Sequence, residues 1–140
     1  MSDSFCLRHE IAGVTEYCAL RQSAGLSSRD PAAARKGLPN TLFAATIRDG
    51  ENLIAMGRVV GDGGCNFEIV DVAVSPQFQR RGLGTRIMAA LMSYIETNAP
   101  PSAYVSLIAD DHSPAQYRKF GFKPTTPRSI GMALRIGNQL

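Results

Sequence analysis

Two arginines and two glycines stand together at Gln79-Arg80-Arg81-Gly82-Leu83-Gly84-Thr85. The run that precedes them is apolar and is ended by Pro76, and the run that follows has the apolar spacing of a helix. A glycine puts no side chain between the backbone and a ligand, so the N–H groups of a helix's first turn can converge on an anion. The helix dipole adds positive potential at that end, and Arg80 and Arg81 add full charges. The chemistry this suits is the binding of a diphosphate. Spacing excludes two other nucleotide loops. A Walker A loop ends in Gly-Lys-Ser/Thr, whereas Gly84 is followed by Thr85-Arg86. A dinucleotide fingerprint needs a third glycine and an acidic residue about 20 positions on. Ile87 holds the glycine position, and residues 100–109 contain no acid.

Just upstream, two carboxylates lie in the apolar run Phe67 to Val74. Strand alternation puts Phe67, Ile69, Asp71 and Ala73 on one face, and Glu68, Val70, Val72 and Val74 on the other. Each face then carries one carboxylate among apolar neighbours, a setting suited to proton transfer. A bulge in the strand would change which of the two shares a face with which neighbours. The remaining chemistry-bearing residues are sparse. Cys6, Cys18 and Cys65 are odd in number and widely spaced, which argues against a disulfide framework. Cys65 follows Gly63-Gly64 and is the one expected to be exposed. With only His9 and His112, no metal-ligand cluster can be assembled from sequence neighbours, so no metal is expected.

The elements that must position these residues read as mixed α/β. Phe5 to His9 is a short strand and Val14 to Arg21 a helix. Asp30 to Gly37 carries helix signals at both ends, an aspartate cap followed by Pro31 and a closing glycine. Thr41 to Arg48 and Leu53 to Val60 form a hairpin through Asp49-Gly50-Glu51-Asn52. After Gly61-Asp62-Gly63-Gly64 comes Phe67 to Val74. The main helix covers Leu83 to Thr97, with Leu83, Ile87, Ala90, Leu91, Tyr94 and Ile95 on one stripe. Tyr104 to Ala109 is a strand, Pro114 to Phe120 a short helix, and Ile130 to Ile136 the last strand. The middle of the chain is a strand–helix–strand crossover, Val72 to Ile108.

Composition sets wider limits. The 140 residues, 44% hydrophobic and 19% charged, suit one globular domain spanning residues 1–140. No apolar run reaches the length of a membrane span, and Met1-Ser2-Asp3-Ser4 lacks a basic leader, so the cytoplasm is expected. A net charge of +3 suits an anionic ligand and is too small and dispersed to argue for nucleic acid.

The order strand–Gln-x-x-Gly-x-Gly–helix–strand, followed by Tyr117-Arg118-Lys119-Phe120-Gly121-Phe122, resembles the GCN5-related N-acetyltransferase superfamily. Val72 to Gly84 resembles its motif A, and the Tyr-x-x-x-Gly-Phe run its motif B. The resemblance implies an α/β fold with a central mixed sheet of about six to seven strands, splayed at the coenzyme site, and about four helices. It implies transfer of an acetyl group from acetyl-CoA to a primary amine by direct attack. Val72, Ala73 and Val74 would hold the pantetheine arm through the main chain. Arg81, Gly82, Leu83, Gly84 and Thr85 would hold the diphosphate, with Gln79 and Arg80 shaping the loop. Tyr117 matches the residue that protonates the departing thiolate. For the base, Asp71 is the first choice and Glu68 the second. Asp110 and Ser113 stand where family members often carry Asn and Ala, which leaves contacts around His112 open. On the acceptor side, Arg21, Arg29, Arg35 and Arg128 are candidates for an acidic acceptor, and Arg58, beside Gly57, is a candidate to face the cleft. Two other readings are a non-catalytic acyl-CoA-binding module and an acetyltransferase of aminoacyl-RNA. A homodimer is compatible with the family.

Overall fold

The computed structural model describes residues 5–110 and 114–137. The expectations at Met1 to Ser4, His112 and Ser113 lie outside the described residues. The chain forms two compact units, Met1–Leu107 and Ile108–Leu140.

The first unit holds, in order, β1 (Phe5–Arg8), α1 (Val14–Ser23), α2 (Pro31–Gly37), β2 (Phe43–Asp49), β3 (Asn52–Gly61), β4 (Asn66–Val74), α3 (Leu83–Asn98) and β5 (Tyr104–Ser106). The strands form one sheet in that order; β1 to β4 are antiparallel neighbours, and β5 runs parallel to β4. Local chemistry explains the boundaries. The Asp30 carboxylate accepts the Ala32 N–H at 2.9 Å and Pro31 fills the first turn of α2. Asp49 pairs with Asn52 across a two-residue turn. Asp62 Oδ1 accepts the N–H groups of Gly64, Cys65 and Asn66 and so folds the β3–β4 loop. These bonds, the Asn66 one foremost, hold the Asp62 carboxyl below its ordinary pKa.

Helices cover both faces of the sheet. Met56 and Ala73 pack with Tyr17 and Leu20 of α1 and with Ala34 of α2. On the opposite face, Gly57 lies under Ile87 and Leu91 of α3, so close that an added Cβ would sit 2.6 Å from Ile87 Cγ2. Leu83, Ile87, Met88, Leu91 and Ile95 are the buried stripe of α3. Met88, absent from the expected stripe, widens it to the ordinary width of a core-facing helix.

In the second unit, α4 (Pro114–Arg118) ends in a turn through Gly121, whose φ of +93° the following chain reversal requires. The expected last strand, Ile130 to Ile136, forms no ladder among the described residues. Among the described residues the sheet therefore has five strands, not six to seven; three α-helices belong to its unit and a fourth to the second unit. The apolar alternation that signals a strand is present there. A strand also needs a partner's N–H and C=O groups, which alternation cannot supply. Expected Tyr104 to Ala109 likewise shortens to three residues because pairing with β4 stops at Ser106.

Candidate functional site

α3 opens at Gly82, which takes left-handed φ 78° and ψ 10°. Its first intrahelical bond is donated by Arg86 to the Gly82 carbonyl at 3.1 Å. The N–H groups of Leu83, Gly84 and Thr85 precede that bond and have no intrahelical acceptor. No side chain caps this end and no acidic residue stands in its first turn. Beyond the Cβ position of Gly82 there is open space to 4 Å. Arg80, Arg81 and Gly82 are exposed. This set of donors fits a diphosphate. The Arg81 guanidinium lies 5.4 Å from the Phe78 ring centroid and 5.9 Å from that of Phe5, and the two rings meet edge to face. The aromatic pair limits where this cation can go. The sequence reading assigned Phe5 and Phe78 no part in the loop.

The strand before this loop is open on one side. β4 pairs with β5 only from Asn66 to Glu68, while Ala73 and Val74 remain paired with Met56 and Ala55 of β3. Asp71 to Val74 thus have a strand on the β3 side and none on the β5 side among the described residues. Ser75 N–H donates to Ile54 of β3 at 2.8 Å, so the Val74 carbonyl of the same peptide faces the open side. There it accepts from Gln79 Nε2 at 3.1 Å, which ties the glycine loop to the strand end.

A bulge falls within the same strand. Gly57 alone opposes Asp71 and Val72, and Asp71 takes φ 61°. Simple alternation separates Glu68 from Asp71; the bulge reverses this. Register now puts Glu68, Val70, Asp71 and Ala73 on the α1 face, and Phe67, Ile69, Val72 and Val74 on the α3 face. The Asp71 carboxylate is buried. Its Oδ2 accepts from Tyr17 Oη at 2.9 Å and Arg58 Nε at 2.7 Å, and its Oδ1 accepts a short bond from Arg21 Nη1. Arg21 also donates to the Ser27 carbonyl and hydroxyl, and Arg58 to the Thr41 hydroxyl. Burial, with the Asp71 charge next, pushes the Tyr17 phenol above its ordinary pKa. Glu68 is half-buried, and its side chain makes no hydrogen bond or ion pair among the described residues.

Arg21 and Arg58 are therefore internal residues whose donors face Asp71, whereas Arg29, Arg35 and Arg128 are exposed. Tyr17 and Arg21 are one helical turn apart, so the signal for a shared target existed. Nothing local pointed to Asp71, some 50 residues away. Tyr117 stands on α4 in the second unit, and its carbonyl accepts the N–H of Phe120 at 3.0 Å. Among the described residues no three metal-ligating side chains gather, and no helix is long and apolar enough to cross a membrane. Cys65 and Cys6 are exposed.

The fold recurs in known proteins. A crystal structure of a protein of unknown function from methicillin-resistant Staphylococcus aureus, described as a probable acetyltransferase, is 47% identical. It superposes with a TM-score of 0.91 over 94% of this chain and 98% of that one. A glucosamine-6-phosphate N-acetyltransferase from Arabidopsis thaliana shares the fold at 17% identity, with a TM-score of 0.68 over 96% and 99% of the two chains. In sequence, the chain is 28% identical over 125 residues to GCN5-related N-acetyltransferase 1, chloroplastic, of Arabidopsis thaliana. That match covers 86% of this chain and 62% of the relative's own length. The sequence profile described as the acetyltransferase (GNAT) domain matches residues 26–135. The chain belongs to the GNAT acetyltransferase family.

Proposed function

We propose that residues 1–140 form one N-acetyltransferase domain that moves an acetyl group from acetyl-CoA to a primary amine in a ternary complex. The observation that carries this reading is the meeting of two features within residues 71–85. A strand edge is left open where β5 ends, and a cationic, uncapped helix N-terminus follows directly. The open edge suits an extended, amide-bearing arm added as a strand, through Val72, Ala73 and Val74. The helix end suits the diphosphate, through Arg81, Gly82, Leu83, Gly84 and Thr85, with Gln79 and Arg80 fixing the loop.

In the reaction the amine lone pair attacks the thioester carbonyl, the C–N bond forms, and the C–S bond breaks as the thiolate leaves. One proton leaves the nitrogen and one reaches the sulfur. We assign the first transfer to Glu68, directly or through water. What supports Glu68 over Asp71 is that its carboxylate is half-exposed and uncommitted, whereas three donors already occupy the buried Asp71 oxygens. Asp71 then acts by holding Arg21, Arg58 and Tyr17 beside the bulge. Tyr117 is proposed as the donor to sulfur on its motif alone.

The test is thiol release from acetyl-CoA across a panel of amines, with the full chain and its Glu68→Gln and Tyr117→Phe variants. Turnover that needs both an amine and Glu68 supports the reading. Coenzyme binding with no turnover on any amine class would leave a binding module in its place.

A further inference from the structure

We propose, on the transferase reading, that the acceptor is a primary amine bearing an oxyanion, a carboxylate or a phosphate: Arg58 holds the oxyanion and Glu68 the ammonium. A guanidinium has five N–H donors. Arg58 gives one from Nε to Asp71 at 2.7 Å and one from Nη1 to the Thr41 hydroxyl at 2.6 Å. Its second Nη1 donor and both Nη2 donors meet no acceptor among the described residues. The group is fixed all the same. The Tyr17 ring centroid lies 5.7 Å from its Cζ, and the Tyr17 hydroxyl is itself tied to Asp71 at 2.9 Å. A solvated surface arginine has no such seat. Arg58 is a fork held in place with most of its donors unspent, the form in which arginine recognises carboxylates and phosphates.

Charge points the same way. Arg21 and Arg58 share one anion, Asp71, and Tyr17 enters as a neutral donor, so the cluster keeps a positive charge in excess. Register puts a negative charge close by. Arg58 pairs with Val70 and Val60 with Glu68, which makes Arg58 and Glu68 diagonal neighbours on one face of the sheet, at a spacing of roughly 7–8 Å. They form no ion pair with each other, because Arg58 turns to Asp71 and Thr41 and the Glu68 side chain stays uncommitted. A zwitterionic amine satisfies both groups at once and leaves the local charge unchanged. A simple alkylammonium would instead set a cation beside an excess cation and leave the Arg58 donors unpaired. The amine held against Glu68 also lies next to the group assigned to take its proton.

The test measures kcat/KM of the full chain on primary amines in matched pairs, one member bearing the oxyanion and one neutral at that position. Amino acids are paired with their amides, and phosphoethanolamine with ethanolamine, so carboxylate and phosphate are distinguished. We expect wild type to favour the charged member of at least one pair, and Arg58→Gln to lower that charged-to-neutral ratio by roughly tenfold or more. Comparing the ratio between wild type and variant cancels the intrinsic reactivity of each amine. A merely structural role for Arg58 would slow both members alike. A wild type that favours the neutral member of every pair, or an unchanged ratio in Arg58→Gln, overturns the inference and leaves the transferase reading standing. Turnover on no amine overturns both. Should Arg58→Gln fail to fold, inhibition of wild type decides. Propionate or ethyl phosphate, which lack the amine, should compete with the acceptor and not with acetyl-CoA. No inhibition by either, or competition with acetyl-CoA alone, overturns the inference.

Discussion

Asp71 holds a left-handed backbone in the middle of a strand, φ 61°, among two arginines and a tyrosine. An unstrained strand residue would not adopt that geometry, and the partners fix it. Removing the charge should be expensive, because Arg21 would stay buried without its anion. Asp71→Asn is expected to lower stability by about 3 kcal/mol, seen as a shift in the urea midpoint with an unchanged slope. Tyr17 adds a pH signature. Its pKa is raised in the folded state, so its contribution is complete below the ordinary tyrosine value of 10.0 and is lost as pH rises past it. Urea midpoints should fall between pH 9 and pH 11 in wild type, and fall less in Tyr17→Phe. For catalysis, Glu68→Gln should reduce kcat by roughly 100-fold or more at neutral pH while the acetyl-CoA Kd stays near wild type. At this scale the sequence was half legible. Asp71, Glu68, Arg21 and Arg58 were all picked out as chemically interesting. Which of them touch one another was not readable, because side-chain partners 13 to 54 residues apart leave no local periodicity.

The elements carry the cleft through β4. Its alternation was plain in the sequence, as were the caps of α2, the hairpin at Gly50 and the apolar stripe of α3. A bulge there was foreseen only as an alternative, and its position was not legible, since it is a property of two paired strands and appears only when Gly57 meets both Asp71 and Val72. Gly57 is a glycine for a packing reason: a Cβ there would lie 2.6 Å from Ile87 Cγ2 and 3.0 Å from Leu91 Cδ1. Ile87 is β-branched and fully buried, so it has little room to yield. Gly57→Ala should destabilise by about 1–3 kcal/mol, measured by thermal or urea unfolding. It should also weaken acetyl-CoA binding, because α3 carries the proposed diphosphate donors at its N-terminus. The overestimate of strand number has a similar origin. Residues 130–136 have the pattern of a strand, and pattern alone does not state who pairs with it.

For the molecule as a whole, a clamp between β2 and the start of α1 ties stability to pH in acid. Arg48 of β2 donates to Glu10, ahead of α1, at 2.7 Å, and to Glu16 in α1 at 2.7 and 2.9 Å. The Glu16 carboxyl is held below its ordinary pKa chiefly by its bond from Arg48, and that of Glu10 chiefly by the Thr46 hydroxyl, with Arg48 next in the same direction. Depressed carboxylates stabilise the fold above the unfolded value of 4.5, and that stabilisation is lost as pH falls through their folded values. Arg48→Met should therefore cost about 2 kcal/mol at pH 7 and show a shallower decline than wild type in acid titration of the urea midpoint.

The central claim, a coenzyme site at the start of α3, is tested most directly by calorimetric titration of acetyl-CoA into the wild-type chain and a Gly82→Glu variant. Gly82 sits at φ 78° and an added Cβ meets nothing within 4 Å, so glutamate brings a strained backbone of about 1–2 kcal/mol and a negative charge, with no clash at its Cβ. Circular dichroism of the variant confirms that it remains folded before titration. Micromolar or tighter binding by wild type, lost in the folded variant, is the predicted result. Equal binding by both proteins, or no binding by wild type, would contradict the account.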